Sequence, residues 1–140
     1  MIRYLVIFLA FMAICTGCDR FRESNVIMLY PQLKKTEAVL IIPGAGFEGC
    51  IGAATQFALA YAGSLNIGVV FTKVKSLKNL RFTFGNEFFN SPRIQVDSTN
   101  SVQLNEENYP TIYYPKTDEL LISSPENPEA LKSLKKFKLN

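Results

Sequence analysis

The chain alternates short apolar runs with polar punctuation, and the runs differ in period. Residues 38–42, AVLII, are apolar without interruption and end at Pro43. A run with no alternation suits a strand covered on both faces, as in a parallel sheet. From Glu48 to Leu65 the period lengthens. Ile51, Ala54, Ala58, Ala62 and Leu65 recur at spacings of three and four, and Phe57 and Tyr61 widen the stripe. This predicts a helix whose small residues let it lie close to a sheet. Residues 67–74, IGVVFTKV, predict a second strand. Strand, helix, strand implies a parallel pair with a right-handed crossover.

Downstream, the runs shorten. Ser76 is placed to cap a short helix over Leu77, Leu80 and Phe84, residues 76–84. A loop over 85–92 carries Phe88 and Phe89, and RIQV at 93–96 predicts a short strand ending at Asp97. YPTIYY (109–114), a four-residue turn PKTD and ELLI (119–122) predict a β-hairpin. Asn127 suits a helix N-cap, with Pro128 at the first helical position of a closing helix over 128–138. Its stripe is Leu131, Leu134 and Phe137. VIMLY (26–30) is expected as an added edge strand.

Charge changes this picture little. The net charge is +3, from 15 Lys and Arg against 12 Asp and Glu. Lys132, Lys135, Lys136 and Lys138 crowd the closing segment, which suits a solvated helix face and complements a helix dipole. Nucleic-acid binding would need basic residues interleaved with aromatics over a surface, so no nucleic-acid partner is expected. The chain has no histidine. Ser-His-Asp and Cys-His catalysis are therefore excluded, and so is the commonest zinc ligand. No metal site and no cofactor are expected.

The first residues read as a targeting segment. Arg3 precedes an apolar run from Tyr4 to Ile14. That run is too short for a spanning helix, which needs about 20 apolar residues. Thr16 and Gly17 lead directly into Cys18. The pattern resembles the lipobox of bacterial lipoproteins, although Cys15 stands where Leu is usual. The resemblance implies a signal peptide over 1–17, lipid on Cys18, and a membrane partner reached through that lipid. It also implies a place in the bacterial cell envelope, periplasmic or surface-exposed. Residues 18–35 would be a tether with the added strand, and 36–140 the domain. With Cys15 removed and Cys18 acylated, Cys50 is the one free thiol left among the three cysteines.

The segment VLIIPGAGFEGC (39–50) carries two readings. Gly44, Gly46 and Gly49 make G-x-G-x-x-G between a strand and a helix, the dinucleotide fingerprint. That motif wants an acidic residue about 20 positions on, where Lys73 and Lys75 stand instead. The chain also ends in a hairpin and helix, not in further parallel strands. A peroxiredoxin-type P-x-x-x-[ST]-x-x-C spacing exists between Pro43 and Cys50, but Phe47 occupies the hydroxyl position and Arg93 would have to supply the cation.

Over roughly residues 36–138 the chain resembles the thioredoxin family, in particular the membrane-anchored redoxin-like lipoproteins of bacteria. The features are the strand–loop–helix VLIIPGAGFEGC, the tripeptide Tyr109-Pro110-Thr111 before a strand, and the closing hairpin and helix. The resemblance implies an α/β fold, a central mixed sheet flanked by helices, with 48–65 and 128–138 on one face and 76–84 on the other. It implies a cis Tyr109–Pro110 bond facing a loop of Phe47, Glu48, Gly49 and Cys50. Phe47 falls where the family has its attacking cysteine and Cys50 where it has the resolving one. Exchange needs thiolate attack and then resolution of a mixed disulfide, so one sulfur cannot complete the cycle within the chain. The helix N-terminus favours a Cys50 thiolate, while Glu48 opposes it. The function implied is a non-catalytic or weakly redox module that holds a protein or peptide partner. The alternatives are a monothiol disulfide oxidoreductase using Cys50, and nucleotide binding through the three glycines.

Overall fold

A computed structural model describes residues 25–102 and 107–139. Residues 1–24, with the expected signal peptide, Cys15 and the expected lipidation position Cys18, lie outside the described residues. Among the described residues, no helix is long and apolar enough to cross a membrane.

The chain is an α/β protein with a five-stranded mixed sheet flanked by helices. Strand β1 (Ala38–Pro43) leads into helix α2 (Glu48–Tyr61), preceded in the chain by the short helix α1 (Asn25–Leu29). Strand β2 (Ile67–Thr72), helix α3 (Leu77–Phe84) and strand β3 (Ile94–Asp97) follow, and then the hairpin β4 (Thr111–Tyr114) and β5 (Glu119–Ile122). Short 3-10 helices occupy Pro31–Lys35, Glu87–Asn90 and Leu131–Lys136. The sheet order is β3-β2-β1-β4-β5. β1, β2 and β3 are parallel, and β4 and β5 run antiparallel to their neighbours.

β1 and β2 are buried at every position. Their side chains divide by the strand period of two. Leu40, Ile42, Val69 and Phe71 face α2, together with Ala54, Phe57 and Ala58. Val39, Ile41 and Val70 face the opposite layer, where Val26 and Leu33 sit fully buried. Gly68 leaves the space that Leu33 fills: a Cβ there would lie 2.9 Å from a Leu33 methyl.

Four expectations are corrected here. The segment around VIMLY is helix α1, not an edge strand. It closes its own backbone bond, Tyr30 N–H to Val26 O at 2.8 Å, and lays Val26 and Ile27 on the sheet. Through Val26 and Leu33, residues 25–35 pack on the sheet. Helix α3 lies on the same face as α2, with Leu80 and Phe84 packed on that cluster. The reason is topological: β1, β2 and β3 advance in one direction across the sheet. Two right-handed crossovers in one direction place both helices on one side. The closing α-helix is shorter and tighter, a 3-10 turn that buries Leu131 and Leu134. Asn127 does not cap it; its side-chain amide donates to Ile122 O at 3.4 Å.

α3 itself follows its sequence signals. Ser76 Oγ accepts from Asn79 N–H at 3.2 Å, and Gly85, with φ of 80°, ends the helix. Phe84, Phe88 and Phe89 gather around Phe71, with the Phe71 and Phe84 centroids 4.9 Å apart. Arg81 lies over the Phe89 ring at 5.7 Å.

Candidate functional site

The parallel strands end together, and the loops leaving them converge at that edge of the sheet. In open α/β sheets this is where ligand sites form. β1 exits through Pro43-Gly44-Ala45-Gly46 into α2, and the segment entering β4 runs beside it.

Two glycines fix this approach. A Cβ on Gly44 would stand 2.3 Å from the Lys73 carbonyl oxygen, and one on Gly46 would stand 2.6 Å from the Asn108 carbonyl oxygen. Gly46 also has φ of 145°, a conformation that side chains resist. On the third glycine, a Cβ would touch only the Phe47 ring, at 3.3 Å. Contacts within the protein thus account for Gly44 and Gly46 without a phosphate. Carbonyl oxygens stand where an anion would need donors. Lys73, at the position where the fingerprint wants an acid, is held by its neighbours. Its N–H donates to Asn100 Oδ1 at 3.0 Å, and its ammonium donates to Asn108 Oδ1.

Phe47 precedes α2 as its N-cap without a side-chain cap bond. Its ring is half exposed, at 51%, and packs against the Tyr109 ring with centroids 6.0 Å apart. Cys50, one turn into α2, is partly buried and free. Burial pushes its thiol up, and the carboxylate of Glu126 pushes it further. Bonding with Ser124 and then with its own backbone lowers the Glu126 carboxyl below its usual pKa. Burial and then Glu107 and Glu126 raise the Tyr109 phenol, and Cys50 adds to this. The structure therefore gathers Phe47, Cys50, Tyr109 and Glu126 at one place. Glu126 was not anticipated; only its position after β5 brings it there.

Tyr109–Pro110 is trans, which corrects the expected cis bond. Trans is favoured by about 0.5–1 kcal/mol for X-Pro. The reversal into β4 comes instead from Asn108, whose φ is 54°, a region Asn tolerates. Pro110 is buried, and its carbonyl accepts from Ser123 N–H at 2.9 Å. Thr111 Oγ1 donates to Tyr109 O at 3.1 Å. Both are ordinary strand-entry contacts.

Arg93 is far from Cys50. It donates to Leu65 O and Ile67 O, at the end of the sheet where β2 begins. Cys50 follows the other end. The cation a peroxidatic thiol requires is therefore not supplied by Arg93.

Asp97, like Glu126, was not anticipated as a site residue. Asp97, 1% exposed, accepts from Val102 N–H at 2.8 Å, Thr72 Oγ1 at 2.9 Å, Ser101 N–H at 3.0 Å and Thr99 Oγ1 at 3.3 Å. Burial alone would raise its carboxyl, but these four bonds outweigh it and hold the pKa below the usual value. The signal was present in DSTNS: an acid followed by short hydroxyl residues folds back on its own backbone. The cluster ties the β3 exit loop down and makes no contact with Cys50. Among the described residues no group of acids and cysteines could hold a metal ion.

What this arrangement can do chemically is limited. A thiol pushed up by burial and a carboxylate is a poor nucleophile, and among the described residues no second cysteine stands beside it to resolve a mixed disulfide. A half-exposed Phe47 ring, braced by the partly buried Tyr109, is a surface for contact. The chain matches no protein-family model, no curated protein and no solved structure.

Proposed function

We propose that this protein is a lipid-anchored, thioredoxin-like module of the bacterial cell envelope. It holds an extended segment of a partner polypeptide and does not turn over thiols. The topology supports the thioredoxin-like part: a β1–α2–β2 crossover beside an antiparallel β4–β5 hairpin, with loop 43–50 against the entry to β4. The trans Tyr109–Pro110 bond, the third parallel strand β3 and the 3-10 closing turn are departures from what the resemblance implies.

The observation that carries the functional reading is the Phe47–Tyr109 pair. A half-exposed Phe occupies the position where an active relative has its attacking cysteine, and it is braced by a second ring. Beside it runs β5, an outer strand of the sheet with Leu120 and Ile122 exposed. An extended segment can add to such an edge by backbone bonds, with aromatic contacts setting its register.

The test is a display screen of unstructured peptides against the folded domain, followed by calorimetry of the strongest binder. Binding should disappear in Phe47→Ala and persist in Cys50→Ala. A binder that ignores Phe47 but requires Cys50 would replace this reading with monothiol exchange.

A further inference from the structure

The outer side of the layer that covers the second face of the sheet exposes apolar and basic side chains and no acid. Val26 and Leu33 point into the sheet and are fully buried. Met28, two residues after Val26, is 78% exposed, and Leu29 is 40% exposed. Lys34 and Lys35 follow Leu33 and are exposed. No acid occurs from Asn25 to Thr36. The next one, Glu37, is already paired with Lys116 at 2.6 Å. An exposed Met on a five-residue helix gains nothing for the fold by standing in water.

We infer that this face, Met28 and Leu29 with Lys34 and Lys35, docks on an anionic lipid surface and holds the domain flat against the membrane. The inference rests on the lipid anchor at Cys18. From Cys18 to Asn25 there are seven peptide links, which reach at most about 25 Å when fully extended. Helix α1 therefore cannot stand far from the bilayer that holds the acyl chains. Its apolar pair is of the kind that enters the headgroup region, while lysines keep their stems on the apolar boundary and their ammonium groups on phosphate. Basic residues close to an anionic leaflet are drawn to it, and no carboxylate from Asn25 to Thr36 opposes them. The opposite face is closed by α2, so docking leaves the Phe47–Tyr109 end of the sheet open along the membrane plane.

The full chain, matured in cells, would be purified in detergent with Cys50→Ala and a single environment-sensitive fluorophore introduced by Met28→Cys. A parallel protein carries the label through Leu59→Cys, on α2 at the far face. Each is reconstituted into vesicles of phosphatidylcholine with phosphatidylglycerol, and into phosphatidylcholine alone. Circular dichroism checks folding, and mass spectrometry of the mature N-terminus reports acylation of Cys18. The position 28 label should shift to the blue and be quenched by brominated lipid in the anionic vesicles. The shift should be lost with Lys34→Glu and Lys35→Glu, and the position 59 label should stay water-like. An acylated protein whose position 28 label stays water-like keeps the anchor and overturns the docking face. A non-acylated protein removes the anchor, and position 28 is then labelled in a protein that also carries Cys15→Ser and Cys18→Ser, so that this label alone decides the face. A blue shift on adding anionic vesicles upholds it, and a water-like label overturns it.

Discussion

The ring of Phe47 rests on the ring of Tyr109, with centroids 6.0 Å apart and planes inclined at 56°. One residue ends the loop from β1 and the other precedes the entry to β4. Because Phe47 is half exposed, its loss should cost the fold little while removing the contact surface. Phe47→Ala should unfold within about 1 kcal/mol of the wild type in urea. In the same protein, peptide binding should fall below detection. A large stability loss would mean that the ring is packing and not contact.

Cys50 should label slowly. Burial and Glu126 both disfavour its thiolate, so alkylation against pH should rise later than for a free cysteine peptide measured alongside. Glu126→Gln removes one of the two causes and should speed labelling at neutral pH by about two- to fivefold, the range of a partly screened charge. Rapid labelling of the wild type at pH 7 would contradict the non-catalytic reading.

Asp97 makes stability depend on acid. Its native pKa lies below the unfolded value of about 3.9. The native state therefore binds fewer protons, and the contribution is present above that value. It is lost as pH falls through 3.9 toward the lower native pKa. Asp97→Asn should flatten this dependence and cost about 1–3 kcal/mol at pH 7, because at least one buried donor loses its acceptor. Equal acid sensitivity in the variant, followed by thermal unfolding between pH 2 and 6, would remove Asp97 from this role.

The glycines of the loop should matter to folding and not to nucleotides. Gly46→Ala forces a side chain onto a φ of 145° and toward the Asn108 carbonyl. A loss above about 1 kcal/mol is expected. Gly44→Ala meets the Lys73 carbonyl and should cost a similar amount. Neither variant nor the wild type should gain melting temperature from millimolar NAD(P); a clear rise in the wild type would restore the dinucleotide reading.

Much of the architecture is legible in the residues alone. AVLII and IGVVF carry no polar side chain because both faces of β1 and β2 are covered, and a pattern without alternation reports that directly. YPTIYY, PKTD and ELLI announce the hairpin because turn chemistry is local. The spacing of Ile51, Ala54 and Ala58 announces α2 for the same reason. What periodicity cannot report is which body does the covering. Val26 and Leu33 are apolar whether they lie in an edge strand or beneath a helix on the second face. Only the one-way advance from β1 to β3 put α2 and α3 together and left that face to the N-terminal segment. The meeting of Phe47 with Tyr109, the carboxylate of Glu126 beside Cys50 and the four donors around Asp97 also wait on tertiary structure. Each depends on the relative positions of chain segments that share no local pattern, and sheet packing sets those positions.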